Sequence, residues 1–359
     1  MRRVIAAFLC LLALFPPPAL ADPPPLPHLG TQMERTSVSG LSSGAFMAVQ
    51  YAVAFSQSTI GAGIVAGGPY GCAAYGAPYA GGWTATQRAF ACMKGQGVTD
   101  LPMAARYRDL GLIDPLDNIA RQRIYLFHGT ADGVVATAAM DAVAAFYRDH
   151  KVSRTSLLYV KSVRAGHAFL SDDLGDGCLA KTTSPYISKC RKDGTLYDQP
   201  QAILRHIFGS LNAKAAALSS APEPFDQRPF RTGQSSLDDT GYLYVPAPCR
   251  DAQAHCPVHV VFHGCQQGAR GNPKVAGSVG VGDAVYGRLG FNEWADTNRI
   301  VMLYPQVIAS VAAPVNPMGC WDWWGYDGQM KNFFATFPTR EGTQVAAIHK
   351  MLEQLALSM

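Results

Sequence analysis

SVSGLSSGAFMAVQYAV, residues 37–53, sets two adjacent serines between glycines and runs at once into an apolar stretch of helical spacing. Within it Gly40-Leu41-Ser42-Ser43-Gly44 fits G-x-S-x-G. That pattern sets a serine on a sharp strand-to-helix turn, where flanking glycines relieve crowding around strained backbone. Its third position makes Ser42 the candidate nucleophile. Ser43 follows at the start of the helix, where its backbone N–H can face a developing oxyanion. A Gly/Ser helix entry with no chemistry would read the same way over five residues, so the rest of the chain has to decide.

A nucleophilic serine needs a base and an acid that orients it, and on an α/β scaffold these follow in the order Ser, Asp, His. RIYLFHGTADG (residues 123–133) reads as a strand running into a turn that holds Asp132. Capping of the helix that begins near Ala136 is the competing role for that carboxylate. TSLLYVKSV (residues 155–163) reads as the next strand, and SVRAGHAF after it presents His167 in a loop. His128 also sits near a strand end but precedes the acid, which marks it as structural. Ser42, Asp132 and His167 thus form the expected triad.

The 359 residues are 48% hydrophobic and only 16% charged, enough for a large core. MRRVIAAFLCLLALFPPPALA has the two arginines, the short apolar run and the small-residue end of an export signal, so residues 1–21 are expected to be removed. The run is too short to span a bilayer and no later segment qualifies, so no stable membrane anchor is expected. Loss of Arg2 and Arg3 lowers the net charge of +4 by two. No basic run interleaved with aromatics points to nucleic acid.

Cys10 leaves with the signal, and Cys72, Cys92, Cys178, Cys190, Cys249, Cys256, Cys265 and Cys320 remain. An even count in an exported chain implies disulfides, although spacing alone leaves the connectivity open. Sequence neighbours suggest 72–92, 178–190 and 249–256, leaving 265 with 320. The absence of C-x-x-C and H-E-x-x-H gives no metal reading, and no cofactor is expected; GSVGVGDAV fails the dinucleotide fingerprint at its last position.

Strand-like runs alternate with helical patterns throughout, which argues for an α/β sheet covered on both faces. Residues 212–241 read as a connector without periodicity. Further strands (YLYVPA, PVHVVFHGC, IVMLYPQV) and helices (FNEWADTNR, TQVAAIHKMLEQL) follow it. Neither half has enough strands for a covered core, so one domain over residues 22–359 is expected. VHVVFHGCQQ (residues 258–267) has the look of the strand that supplies the second oxyanion donor. That strand normally precedes the nucleophile; here it lies far downstream.

These motifs together resemble the extracellular polyhydroxybutyrate depolymerases, within the wider polyester and acetylxylan/feruloyl esterase group. The segments concerned are Phe262-His263-Gly264-Cys265-Gln266, residues 290–306, and Cys320-Trp321-Asp322-Trp323-Trp324. In most of the family they come before the lipase box; here they come after it. The chain therefore is similar to the circularly permuted, fungal-type catalytic domain, an α/β-hydrolase fold.

That resemblance implies Ser42, Asp132 and His167 as the triad and the backbone N–H groups of Ser43 and Cys265 as the oxyanion hole. It implies a secreted serine esterase, extracellular or periplasmic, acting on poly(3-hydroxybutyrate) or its oligomers through an acyl-enzyme. The final helix would stand just before the strand leading to Ser42, and a 265–320 disulfide would pin the oxyanion loop to the tryptophan segment. Trp321, Trp323 and Trp324 suit a crevice wall for methyl-bearing ester units, while alternating Trp321 and Trp323 suit a core equally well. At least one is expected to reach the site. A monomer is expected, without the separate polymer-binding domain of many relatives. An acetylxylan or feruloyl esterase is the alternative within enzymes. A catalytically silent binding protein is the alternative outside them.

Overall fold

The computed structural model describes residues 22–74, 84–96, 101–178, 183–331 and 334–358. The expected export signal, residues 1–21, lies outside the described residues. Eight strands make the main sheet. In chain order they are β1 (Gln32–Leu41), β2 (Thr59–Val65), β3 (Arg123–Phe127), β4 (Leu157–Val160), β5 (Glu223–Asp226), β6 (Thr240–Tyr244), β7 (Pro257–Phe262) and β8 (Val301–Tyr304). Their spatial order is β5-β6-β8-β7-β1-β2-β3-β4. The six strands from β8 to β4 run parallel, and β5 and β6 add an antiparallel edge.

The first four strands thus build outward from the centre in one direction, and the chain then returns to build the other half. Residues 212–241 join two halves of one sheet, as the strand count required. They also contain β5, which the sequence pattern did not announce.

Residue alternation along the strands gives the sheet two apolar faces. Val38, Ile64, Leu126 and Val260 join one core. It includes helices α1 (Ser43–Ala54), α4 (Thr137–Asp149) and α7 (Thr343–Ala356). On the other face Val65, Phe127 and Val261 join a core shared with α5 (Gln199–Phe208) and α6 (Phe291–Asn298). Two helices absent from the sequence reading, α2 (Ala85–Met93) and α3 (Leu101–Asp109), lie between β2 and β3 in the chain.

Every residue of α1 is buried, as expected for a helix that is apolar all round. It is held between the sheet and α7, where Phe55 stacks on His349 and the Tyr51 hydroxyl meets His349 Nδ1 at 3.0 Å. The end of α7 adjoins the start of β1: the Leu29 amide donates to the Leu355 carbonyl at 3.0 Å, and that of Gly30 to Leu357 at 2.9 Å. Joining these ends would put β7 and α7 before β1 in the chain, which is the permutation expected from the motif order. Among the described residues no helix is long and apolar enough to cross a membrane.

Four disulfides join Cys72 to Cys92, Cys178 to Cys190, Cys249 to Cys256 and Cys265 to Cys320. The last spans 55 residues and ties the loop after β7 to the tryptophan segment.

Candidate active site

The turn between β1 and α1 is sharp. Ser42 has φ 56° and ψ −123°, a left-handed setting that a non-glycine residue adopts only when its surroundings enforce it. They do: the Ser42 amide donates to the Val65 carbonyl on β2 at 3.0 Å, and the Ser42 carbonyl accepts from Ala45 and Phe46 at the start of α1. The flanking glycines are steric requirements. A Cβ on Gly40 would lie 2.3 Å from the Gly44 carbonyl, and one on Gly44 would lie 2.2 Å from the Phe262 carbonyl oxygen. Helix α1 can therefore enter tight against the end of β7, which brings the next loop to the serine. The position a Cβ would take at Gly264 is 3.5 Å from Ser42 Cβ.

β3 and β4 deliver the other two groups at the same edge of the sheet. After β3 the chain turns through Gly129, and the Thr130 and Ala131 amides donate to Val163 and Ala165 beyond β4. The two loops are thereby zipped together, and His167 Nδ1 meets Asp132 Oδ2 at 2.8 Å. The Asp132 side chain is 1% exposed and that of His167 7%. The second carboxylate oxygen of Asp132 accepts from the Val134 and Val135 amides at 2.8 and 3.1 Å. Burial alone would raise its pKa; the His167 bond and the two amides outweigh burial and hold the carboxyl below the ordinary aspartate range. No hydrogen bond joins His167 to the Ser42 hydroxyl in this structure; such contacts often tighten only once substrate is bound.

His128, set aside in the sequence, is engaged locally: Nε2 meets the Val135 carbonyl at 2.9 Å and Nδ1 meets Thr137 at 3.4 Å. His263 is also spoken for. The Val307 amide donates to its Nε2, which leaves Nδ1–H to donate to the Gly264 carbonyl at 2.7 Å. Burial pushes His263 down to about 4, so it stays neutral.

The Ser43 and Cys265 amides donate to no acceptor among the described residues. Ser43 is at the first position of α1, where an amide has no intrahelical partner. Cys265 follows Gly264, which abuts Ser42. Two features of this loop were invisible in the sequence. The buried Gln267 side chain accepts from the Gly264 amide at 2.6 Å and donates to the Pro185 carbonyl at 2.6 Å. The Tyr186 hydroxyl donates to the Gln266 side chain at 2.7 Å. Their only sequence mark is a position just after Cys265, because both partners are some eighty residues away in the chain.

The three tryptophans separate. Trp321 is 0% exposed and edges against Phe262. In place of a crevice wall, this burial fits the core role that the alternation of Trp321 and Trp323 allowed equally. Trp323 is 4% exposed and stacks on Phe46 of α1 at 3.7 Å between ring centroids. Trp324 is half-buried and packs edge-on between Trp323 and Tyr326. Of the three it alone keeps substantial exposed surface. Among the described residues no group of three histidine, cysteine or acidic side chains could hold a metal.

No protein-family model matches the chain. It is 39% identical over 337 residues to a poly(3-hydroxybutyrate) depolymerase of Delftia acidovorans; the match covers 92% of this chain and 61% of that protein. It is 33% identical over 345 residues to a polyhydroxybutyrate depolymerase of Talaromyces funiculosus, with 92% of each chain covered. A solved PHB depolymerase from Penicillium funiculosum superposes with a TM-score of 0.75 at 32% identity, over 92% of this chain and 98% of that one. A serine-to-alanine variant of a PHB depolymerase complexed with an R3HB trimer gives a TM-score of 0.76 at 31% identity and the same coverage.

Proposed function

The chain belongs to the poly(3-hydroxybutyrate) depolymerase family, and from that premise we propose that it is an exported serine esterase cleaving poly(3-hydroxybutyrate) or its oligomers. Residues 1–21 serve as the export signal, and the catalytic domain begins after them. The observation that carries the reading is the His167–Asp132 pair, closed at 2.8 Å on the sheet edge where Ser42 sits in its strained turn. A buried carboxylate held ionised beside a histidine is what a general base requires.

In this reading Ser42 Oγ attacks the ester carbonyl while His167 Nε2 takes its proton. Asp132 holds the tautomer with the proton on Nδ1 and offsets the positive charge that forms. The Ser43 and Cys265 amides, neither with an acceptor among the described residues, receive the oxyanion. The protonated His167 then gives its proton to the leaving alkoxide, and an acyl-enzyme remains on Ser42. Water, deprotonated by His167, releases the acid and restores the serine.

The substrate class rests on the relatives' names and on Trp324, the one of the three tryptophans that keeps exposed surface for an apolar ester unit. A hydroxyester unit carries little charge, so its affinity must come mostly from apolar contact. The experiment is product analysis on poly(3-hydroxybutyrate) film, short hydroxybutyrate oligomers and acetylated xylan side by side. Hydroxybutyrate products from film or oligomers support the proposal. Acetate released from xylan, with neither polyester substrate touched, refutes it in favour of a carbohydrate esterase.

A further inference from the structure

We propose that Gln267 is the positioning residue of the oxyanion hole, an inference that rests on the serine-esterase reading above. Its side chain is 1% exposed and uses every part of its amide. Oε1 accepts from the Gly264 amide at 2.6 Å; Nε2 donates to the Pro185 carbonyl at 2.6 Å and to the Tyr186 carbonyl at 3.3 Å. The orientation is fixed by chemistry: an N–H can meet only the oxygen end, and two carbonyls can meet only the nitrogen end.

Two consequences follow. The first concerns the amides after β7. Gly264 and Cys265 are consecutive, and Gly264 abuts Ser42. Gln267 engages the Gly264 N–H and leaves that of Cys265 without an acceptor among the described residues. It thereby selects which amide faces the reacting carbonyl and fixes the peptide plane between the two. The second concerns distance across the site. The Tyr186 carbonyl also accepts from the Phe169 amide at 3.0 Å, two residues past His167. This buried side chain therefore ties the loop beside the nucleophile to the segment that carries the base, alongside the exposed bond from the Tyr186 hydroxyl to Gln266. The Cys265–Cys320 disulfide and the bond from the Gln266 amide to Met318 anchor the outer side of the loop. Neither reaches toward His167.

A positioning residue of this kind acts on the transition state and hardly at all on ground-state binding. The test uses the full chain with a small p-nitrophenyl ester, comparing wild type, Gln267→Met, Gln267→Glu and Ser42→Ala. Methionine keeps the volume but loses all three bonds. Folded Gln267→Met is expected to lose about 10- to 100-fold in kcat and in the acylation burst rate, with KM within about two-fold. Gln267→Glu adds a pH readout. Only its protonated carboxyl can both accept from Gly264 and donate to Pro185, so its activity relative to wild type is expected to rise as pH falls. This series carries the test if Gln267→Met does not fold. Folded Gln267→Met with kcat within two-fold of wild type, beside an inactive Ser42→Ala, overturns the assignment of Gln267 alone. So does a Gln267→Glu ratio that ignores pH. An active Ser42→Ala overturns this inference together with the esterase reading on which it rests.

Discussion

Gly44→Ala adds one methyl at the point where α1 meets the end of β7. That carbon would lie 2.2 Å from the Phe262 carbonyl oxygen and 2.5 Å from that of His263, where ordinary contact begins at 3.4 Å. Both obstacles are backbone, and α1 is buried on every side, so no side chain can swing away. The helix and strand must part by about an ångström at a point two residues from Ser42 and one from Gly264, and a misplacement of that size costs ~10²-fold in rate. Overpacking a closed core costs ~1–3 kcal/mol as well, which for a chain of this size lowers the melting temperature by several degrees. The assay pairs a thermal melt with kcat on a small p-nitrophenyl ester. Gly177→Ala is the control, since nothing lies within 4 Å of a Cβ there, and it should be near neutral in both measurements. Gly44→Ala that melts with wild type and retains more than a third of its kcat would show that the tight entry of α1 does not set the geometry of the site.

Asp132→Asn should keep the fold and lower kcat by ~10⁴-fold, because an amide cannot hold His167 in the required tautomer; equal activity across the pH range would remove Asp132 from the triad. Trp321→Ala should cost ~3–5 kcal/mol of stability by emptying the core. Trp324→Ala should leave the melt nearly unchanged and reduce oligomer turnover more than that of the small ester; equal loss on both substrates would count against a crevice role. His259 and His263 are buried, and desolvation lowers them from 6.5 to about 3 and about 4. The unfolded chain takes up protons below 6.5 that the folded chain refuses, so stability should fall as pH drops from 6.5 toward about 4. Urea midpoints that stay constant across that window would contradict it.

What the sequence disclosed follows from how local each signal is. β7 and the helix after Ser42 are visible because apolar and β-branched residues mark buried elements wherever they pack. Asp132 and His167 were legible because each stands just past such a strand. β5 was not: Pro224 breaks its pattern, and an edge strand tolerates a proline that a central one would not. The start of α2 did carry a mark, Thr84 and Gln87, which cap it reciprocally.

The tryptophans and glutamines fall at the other extreme. Alternation grouped Trp321 with Trp323 apart from Trp324 but left core and crevice equally open for the pair, because Phe262 and Phe46 decide their burial and come from distant parts of the chain. Gln267 acquires meaning only when folding brings Pro185 to its amide. His259 is similar: Ser37 and Ser39 on β1 hold its two ring nitrogens, each at 2.8 Å. The pairing of β1 with β7 creates that arrangement.

The central proposal for this protein is Ser42 as the nucleophile, activated by His167 and Asp132. The most direct measurement treats the protein with a serine-directed fluorophosphonate and locates the adduct by peptide mass spectrometry. One adduct per chain on Ser42 is expected, formed in step with the loss of ester hydrolysis and absent from an inactive Ser42→Ala variant. An adduct on Ser43 or another serine with Ser42 unmodified, or hydrolysis that survives Ser42→Ala, would contradict the account.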